Sequence, residues 1–126
     1  MALMEFREPN QVKWMGSRPG HNGAQKLIKI ETAVPALLYT VSAGTTFFLT
    51  SYFFGITSNG IGASDLQVRN AADAIQYYLG WVISYTSNPG NKVGMSFPFP
   101  IEIPAGWDFY TSATLNTLGF IAGWEE

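Results

Sequence analysis

The sequence predicts an all-β domain: a two-sheet sandwich, jelly-roll-like, of about eight strands, preceded by an extended N-terminal arm. Three observations carry this. Apolar residues recur with a period of two in short runs, separated by clusters of glycine, proline and asparagine. Two segments half a chain apart, residues 41–48 and 103–110, repeat one design: an extended apolar run reaches Ala-Gly, turns, and leaves toward two adjacent aromatics. Glycine after a small residue supplies the positive φ that such a reversal needs, so the repeat reads as two corners in equivalent places of a layered fold. Third, residues 95–104 alternate apolar side chains with prolines, which a strand tolerates at a sheet margin.

The length of 126 residues suits one domain, and 47% hydrophobic content is enough to bury a core without covalent staples. Cysteine is absent, which excludes disulfides and thiolate metal sites. Charges at Glu5, Arg7 and Glu8 fall where a signal peptide would be apolar, and no run reaches the length of a membrane span. A soluble protein made without export, with no membrane partner, is expected.

The net charge of −2 is unevenly spread. Residues 1–30 hold five basic groups against two acidic ones, and residues 31–126 hold two against seven. A basic arm therefore precedes an acidic body. The arm has no run of consecutive basic residues, so a nucleic-acid partner is not expected, and an arm lying on an acidic protein surface fits better. Aromatics make up 15% of the chain against 13% charged residues. Each buried aromatic removes about 150–250 Å² from water, more than one small core holds, so some should face another subunit.

Element by element, residues 1–25 form the arm and residues 26–126 the sandwich. Pro9, Gly16, Pro19, Gly20 and Gly23 deny the arm any sustained period, and Trp14 and Met15 stand in it as apolar anchors. The first strand, 27–32, places Ile28 and Ile30 opposite Lys29 and Glu31. The second, 37–41, follows Pro35. The third, 45–56, is apolar on both faces, with Phe47, Leu49 and Phe53 on one and Phe48, Tyr52 and Phe54 on the other, as in a covered central strand.

Residues 64–79 support two readings. Ser64 with Gln67 has capping-box spacing and Ala71, Ala72 and Ala74 favour a helix. Leu66 and Val68 alternating with Asp65, Gln67 and Arg69 suit a strand followed by a loop at 70–73, and this reading is preferred. Tyr77, Leu79, Trp81, Ile83 and Tyr85 then make an apolar face opposite Gly80, Ser84 and Thr86, ended by a turn at 87–91. Met95, Phe97, Phe99, Ile101 and Ile103 share a face while Pro98, Pro100 and Pro104 take the alternate positions. Proline has no amide to offer, so one edge of this strand cannot pair. Strands at 107–112 and 118–124 complete the count.

No catalytic constellation accompanies this scaffold. The single histidine, His21, sits in the arm without a second ligand, so neither a metal site nor a Ser-His-Asp site is expected. Gly55, Gly60 and Gly62 lack the Gly-Lys-Ser/Thr that completes a phosphate loop. Glu102 and Asp108 flank the second corner as a conceivable glycosidase pair, but Glu102 alternates with the apolar face and points to solvent.

The segments Ala43-Gly44-Thr45-Thr46-Phe47-Phe48-Leu49-Thr50, Phe97-Pro98-Phe99-Pro100-Ile101-Glu102-Ile103-Pro104-Ala105-Gly106-Trp107 and Gly119-Phe120-Ile121-Ala122-Gly123-Trp124 resemble small all-β structural proteins of tailed bacteriophages, in particular the capsid decoration or cement group. The resemblance covers residues 34–124 as a pattern made mostly of turn chemistry. It implies a non-enzymatic virion protein, homotrimeric, assembled in the host cytoplasm and seated on the capsid surface, where it binds and stabilises the major capsid protein lattice. It implies no cofactor, metal or catalytic residue. The arm is similar in character to arms that such proteins extend over neighbouring subunits, and Arg7, Lys13, Trp14 and Arg18 are its candidate docking residues. The alternative is a carbohydrate- or receptor-binding sandwich of a phage tail or fibre, with Trp81, Trp107 and Trp124 as flat aromatic platforms.

Overall fold

The computed structural model describes residues 24–85 and 91–126. They form eight strands: β1 (Ala24–Thr32), β2 (Ala36–Thr40), β3 (Phe47–Ile56), β4 (Gly62–Arg69), β5 (Ile75–Ser84), β6 (Lys92–Ile103), β7 (Asp108–Thr111) and β8 (Thr117–Glu125). Four antiparallel pairings nest one inside the next: β1 with β8, β2 with β7, β3 with β6, and β4 with β5. The described chain is thus one long hairpin, rolled so that alternate strand pairs fall into opposite sheets, β1-β8-β3-β6 and β2-β7-β4-β5. This is the expected jelly-roll order.

The two repeated segments are two of the places where the rolled hairpin crosses between sheets, from β2 to β3 and from β6 to β7. Gly44 has φ 79° and Gly106 has φ 81°. Each is the third residue of a turn closed by a backbone bond, Thr45 N–H to the Ser42 carbonyl and Trp107 N–H to the Pro104 carbonyl, both 3.2 Å. Positive φ at that position is the type II geometry that favours glycine. Because β2 pairs with β7, the corners also pair with each other: Val41 N–H donates to the Trp107 carbonyl at 2.9 Å and Gly106 N–H to the Val41 carbonyl at 3.0 Å.

The strand at 62–69 settles the 64–79 segment against the helix. Asn70 then closes the loop, its Oδ1 accepting from the amides of Ala72 (2.9 Å) and Ala74 (3.0 Å). The strand containing the prolines lies at a sheet margin, pairing only with β3. Its register runs from Ser51↔Ser96 to Leu49↔Ile101, so four residues of β6 lie against Thr50 alone. Pro98 and Pro100 fall in this break, where no regular ladder bond is lost.

Three expected faces differ from the structure. Against β8, by contrast, Thr50 is itself the extra residue, a bulge in β3 that switches the side-chain alternation. Phe47, Leu49, Tyr52, Phe54 and Ile56 are therefore all buried, while Phe53 is exposed. In β5 the small residues, not the aromatics, face the core. Val82 and Ser84 are buried, whereas Trp81, Ile83 and Tyr85 are exposed, because Tyr52 and Phe54 of the other sheet occupy the space over Gly80. In β6, Ile103 is fully buried and Phe97 and Ile101 pack on the core, but Met95 and Phe99 stand open at the margin.

Phe47, Leu49, Phe54 and Ile56 from β3 meet Leu66 and Val68 from β4, with Ile30, Ile103, Phe109 and Ile121 closing the core. Phe47 and Phe109 interlock edge to face at 5.1 Å between centroids. Each such fully buried side chain contributes about 1.5–3 kcal/mol. Residues 1–23 of the expected arm, and the turn at 87–91 except for Asn91, lie outside the described residues, while Ala24 and Gln25, expected in the arm, belong to β1, where they pair with Glu125 and Trp124. Among the described residues no helix is long and apolar enough to cross a membrane.

Candidate functional site

With the inner faces of both sheets filled, chemistry outward of the core is confined to the two outer faces and the ends of the sandwich. On the outer face of β1-β8-β3-β6, register aligns Lys29, Phe120, Phe53 and Gly94 in one row across all four strands. Phe53 and Phe120 stack at 6.3 Å between centroids, and Phe53 lies over Gly94, where a Cβ would come within 2.8 Å of its ring. Leu27 and Leu118, 75% and 46% exposed, stand in the rows on either side. A shallow cleft of about 520 Å³ opens beside the row, lined by Ser51, Tyr52, Phe53, Gly94, Met95, Ser96 and Phe120. Lys92 and a Lys29–Glu31 ion pair (2.8 Å) border the patch. An aromatic centre bordered by charged residues is the anatomy of a protein-binding surface.

The outer face of β2-β7-β4-β5 is different. Asp65 lies opposite Trp81, and Gln67 lies between Tyr78 and Tyr110. Asp65 and Gln67 are buried, although they point away from the core, while Trp81 and Tyr78 are about two-thirds exposed. Asp65 accepts from Gln67 Nε2 at 2.9 Å and from the Ser112 amide at 2.8 Å. The Arg69 guanidinium lies 3.8 Å from the centre of the Tyr110 ring and reaches Asp73 at 3.4 Å.

At the end of the sandwich, beside the first corner, Glu125 accepts hydrogen bonds from the Tyr39 hydroxyl (2.6 Å) and the Ser42 amide (3.3 Å), with Lys26 Nζ at 4.0 Å. Burial alone raises the Glu125 pKa. The Tyr39 and Ser42 hydrogen bonds and the Lys26 charge outweigh it and hold the carboxyl below the ordinary glutamate value. This cluster ties β1, β2 and β8 together and reads as structural.

Of the residues singled out in the sequence, Arg7, Lys13, Trp14, Arg18 and His21 lie outside the described residues. Glu102 and Asp108 do not converge. They sit on the outer faces of opposite sheets, and Asp108 is held by the Thr40 hydroxyl at 2.7 Å. Among the described residues no three His, Asp or Glu side chains gather as a metal site. Of the expected platforms, Trp124 is fully buried and stacked on Phe48, and Trp107 packs against the core beside Tyr77. Only Trp81 presents its ring. The Phe53–Phe120 row escaped the sequence reading because the Thr50 bulge, which turns Phe53 outward, has no glycine or proline to announce it.

No model of a known protein family matches the chain, and no curated protein matches it. Among solved structures, it is similar to a chain in the structure of infectious bursal disease virus, Gt strain, at 10% identity and a TM-score of 0.26. That likeness covers 87% of this chain and 35% of the viral one, so the chain spans about a third of its length. Similarity at this level carries no argument about function.

Proposed function

We propose that this chain is a non-enzymatic structural protein of a virion, a decoration or cement protein that binds the major capsid protein and stabilises its lattice at the capsid surface. The jelly-roll order supports the reading only as analogy, since capsid, lectin and cupin domains share it. The observation that carries it is the Phe53–Phe120 row with its charged rim on the outer face of β1-β8-β3-β6. Seating that row on the shell removes two rings and two leucines from water. The basic arm adds a second attachment through Arg7, Lys13, Trp14 and Arg18, and a homotrimer engages three copies at once, so that modest contacts combine into stable attachment.

The test is occupancy on particles stripped of this protein, measured against protein concentration. A Phe53→Asp/Phe120→Asp variant should retain the wild-type circular dichroism, since both rings are outside the core, and should bind roughly tenfold more weakly or worse, in keeping with loss of an aromatic hot spot. Unchanged occupancy would show that this face is not the docking surface.

A further inference from the structure

Asp65 is 7% exposed and Gln67 6%, yet both lie on the outside of a sheet, opposite Trp81 at 64% and Tyr78 at 65% on β5. A polar floor is thus set beside open aromatic rings. The Asp65 carboxylate forms no ion pair among the described residues, because Arg69, the cation on this face, is turned onto Tyr110 and Asp73. Its two hydrogen bonds occupy about half of the four or so lone-pair sites a carboxylate offers. A buried carboxylate without a cation is costly to keep, and an apolar side chain there would close the face without that cost.

The neighbouring rings are placed by an irregularity in β5. Register shifts between Leu66↔Gly80 and Gln67↔Tyr78, leaving Leu79 as an extra residue. The shift brings Tyr78 and Trp81, three positions apart, onto one face. Had β5 been regular, one of the two would point into the core.

We infer that this face binds a neutral oligosaccharide, with Trp81 and Tyr78 stacking on sugar rings and Asp65 and Gln67 receiving their hydroxyl groups. A sugar offers both parts the face lacks: several O–H donors for the carboxylate and a flat C–H surface for an exposed ring. An apolar protein surface seated here would bury the carboxylate further with nothing to pair it. Acidic sugars are disfavoured because Asp65 and Asp108 share the face. The inference is independent of capsid docking, which uses the opposite sheet.

The experiment is saturation-transfer NMR and titration of the full chain with cellohexaose, maltohexaose, xylohexaose and chitohexaose, with hexagalacturonate as the acidic comparison. At least one neutral hexasaccharide should bind with a Kd of about 1 mM or below. Trp81→Ala should weaken binding roughly tenfold, about 1.4 kcal/mol, and Asp65→Asn should weaken it several-fold. Phe53→Ala, on the other outer face, should leave it unchanged. No binding of any neutral hexasaccharide at about 10 mM overturns the inference, as does preferential binding of hexagalacturonate or indifference to Trp81→Ala. If Trp81→Ala instead dissociates an oligomer in light scattering, the face is a contact between copies and the inference is equally overturned.

Discussion

Tyr52 of β3 lies over Gly80 of β5, across the sandwich, and its hydroxyl donates to the Leu79 carbonyl beside it. The missing side chain at one position is the space that the ring at the other occupies. A Cβ on Gly80 would come within 3.0 Å of the Tyr52 ring and hydroxyl and 3.1 Å of Phe54. The same hydrogen bond pins the bulge that presents Tyr78 and Trp81 together.

Gly80→Ala should therefore destabilise the domain by about 1–3 kcal/mol, the usual cost of overpacking a filled core, as measured by urea unfolding. Tyr52→Phe alone should cost about 1 kcal/mol. In the Tyr52→Phe background the Gly80→Ala penalty should shrink, because the hydroxyl contact is gone and the ring is untethered. Additive effects would show that the two residues do not share the space described.

Gly119→Ala should be worse. A Cβ there would collide with the Phe53 backbone carbonyl and the Phe54 backbone in the neighbouring strand, neither of which can rotate away. A loss of roughly 3 kcal/mol or more is expected, seen as a large fall in the urea midpoint or as failure to fold. A variant of wild-type stability would contradict the close β3–β8 approach.

Glu125 makes acid stability a test of the corner cluster. Its folded pKa lies below the ordinary value, so the folded state favours the ionised form. The stability this contributes is present above the ordinary glutamate range, near pH 4.3, and is lost as pH falls through that range toward the lower folded value. Glu125→Gln should cost about 1.5 kcal/mol at neutral pH and should narrow the gap to wild type on acidification. A gap that is constant or widens toward low pH would contradict the assignment.

Much of this architecture was legible because backbone chemistry wrote it locally. Gly44 and Gly106 announce the corners, Pro98 and Pro100 mark the margin strand, and Asn70 marks a turn. What escaped was the facing of strands that carry a bulge. Thr50 and Leu79 look like ordinary strand residues, and each shifts the alternation by one, so Phe53, Tyr78 and Trp81 could not be placed by counting. Asp65 and Gln67 read as the solvent side of a strand, and only the register with β5 and β7 reveals them as the floor of an aromatic site.

The most direct measurement of the central claim is a cryo-EM map of the virus particle purified from the cells that make this protein. The account predicts eight-stranded density grouped in threes on the outer surface of the shell. The outer face of β1-β8-β3-β6 should rest on the major capsid protein, with Phe53 and Phe120 out of contact with solvent. Purified particles that lack the protein, or a sandwich seated with that face open to solvent, would contradict it.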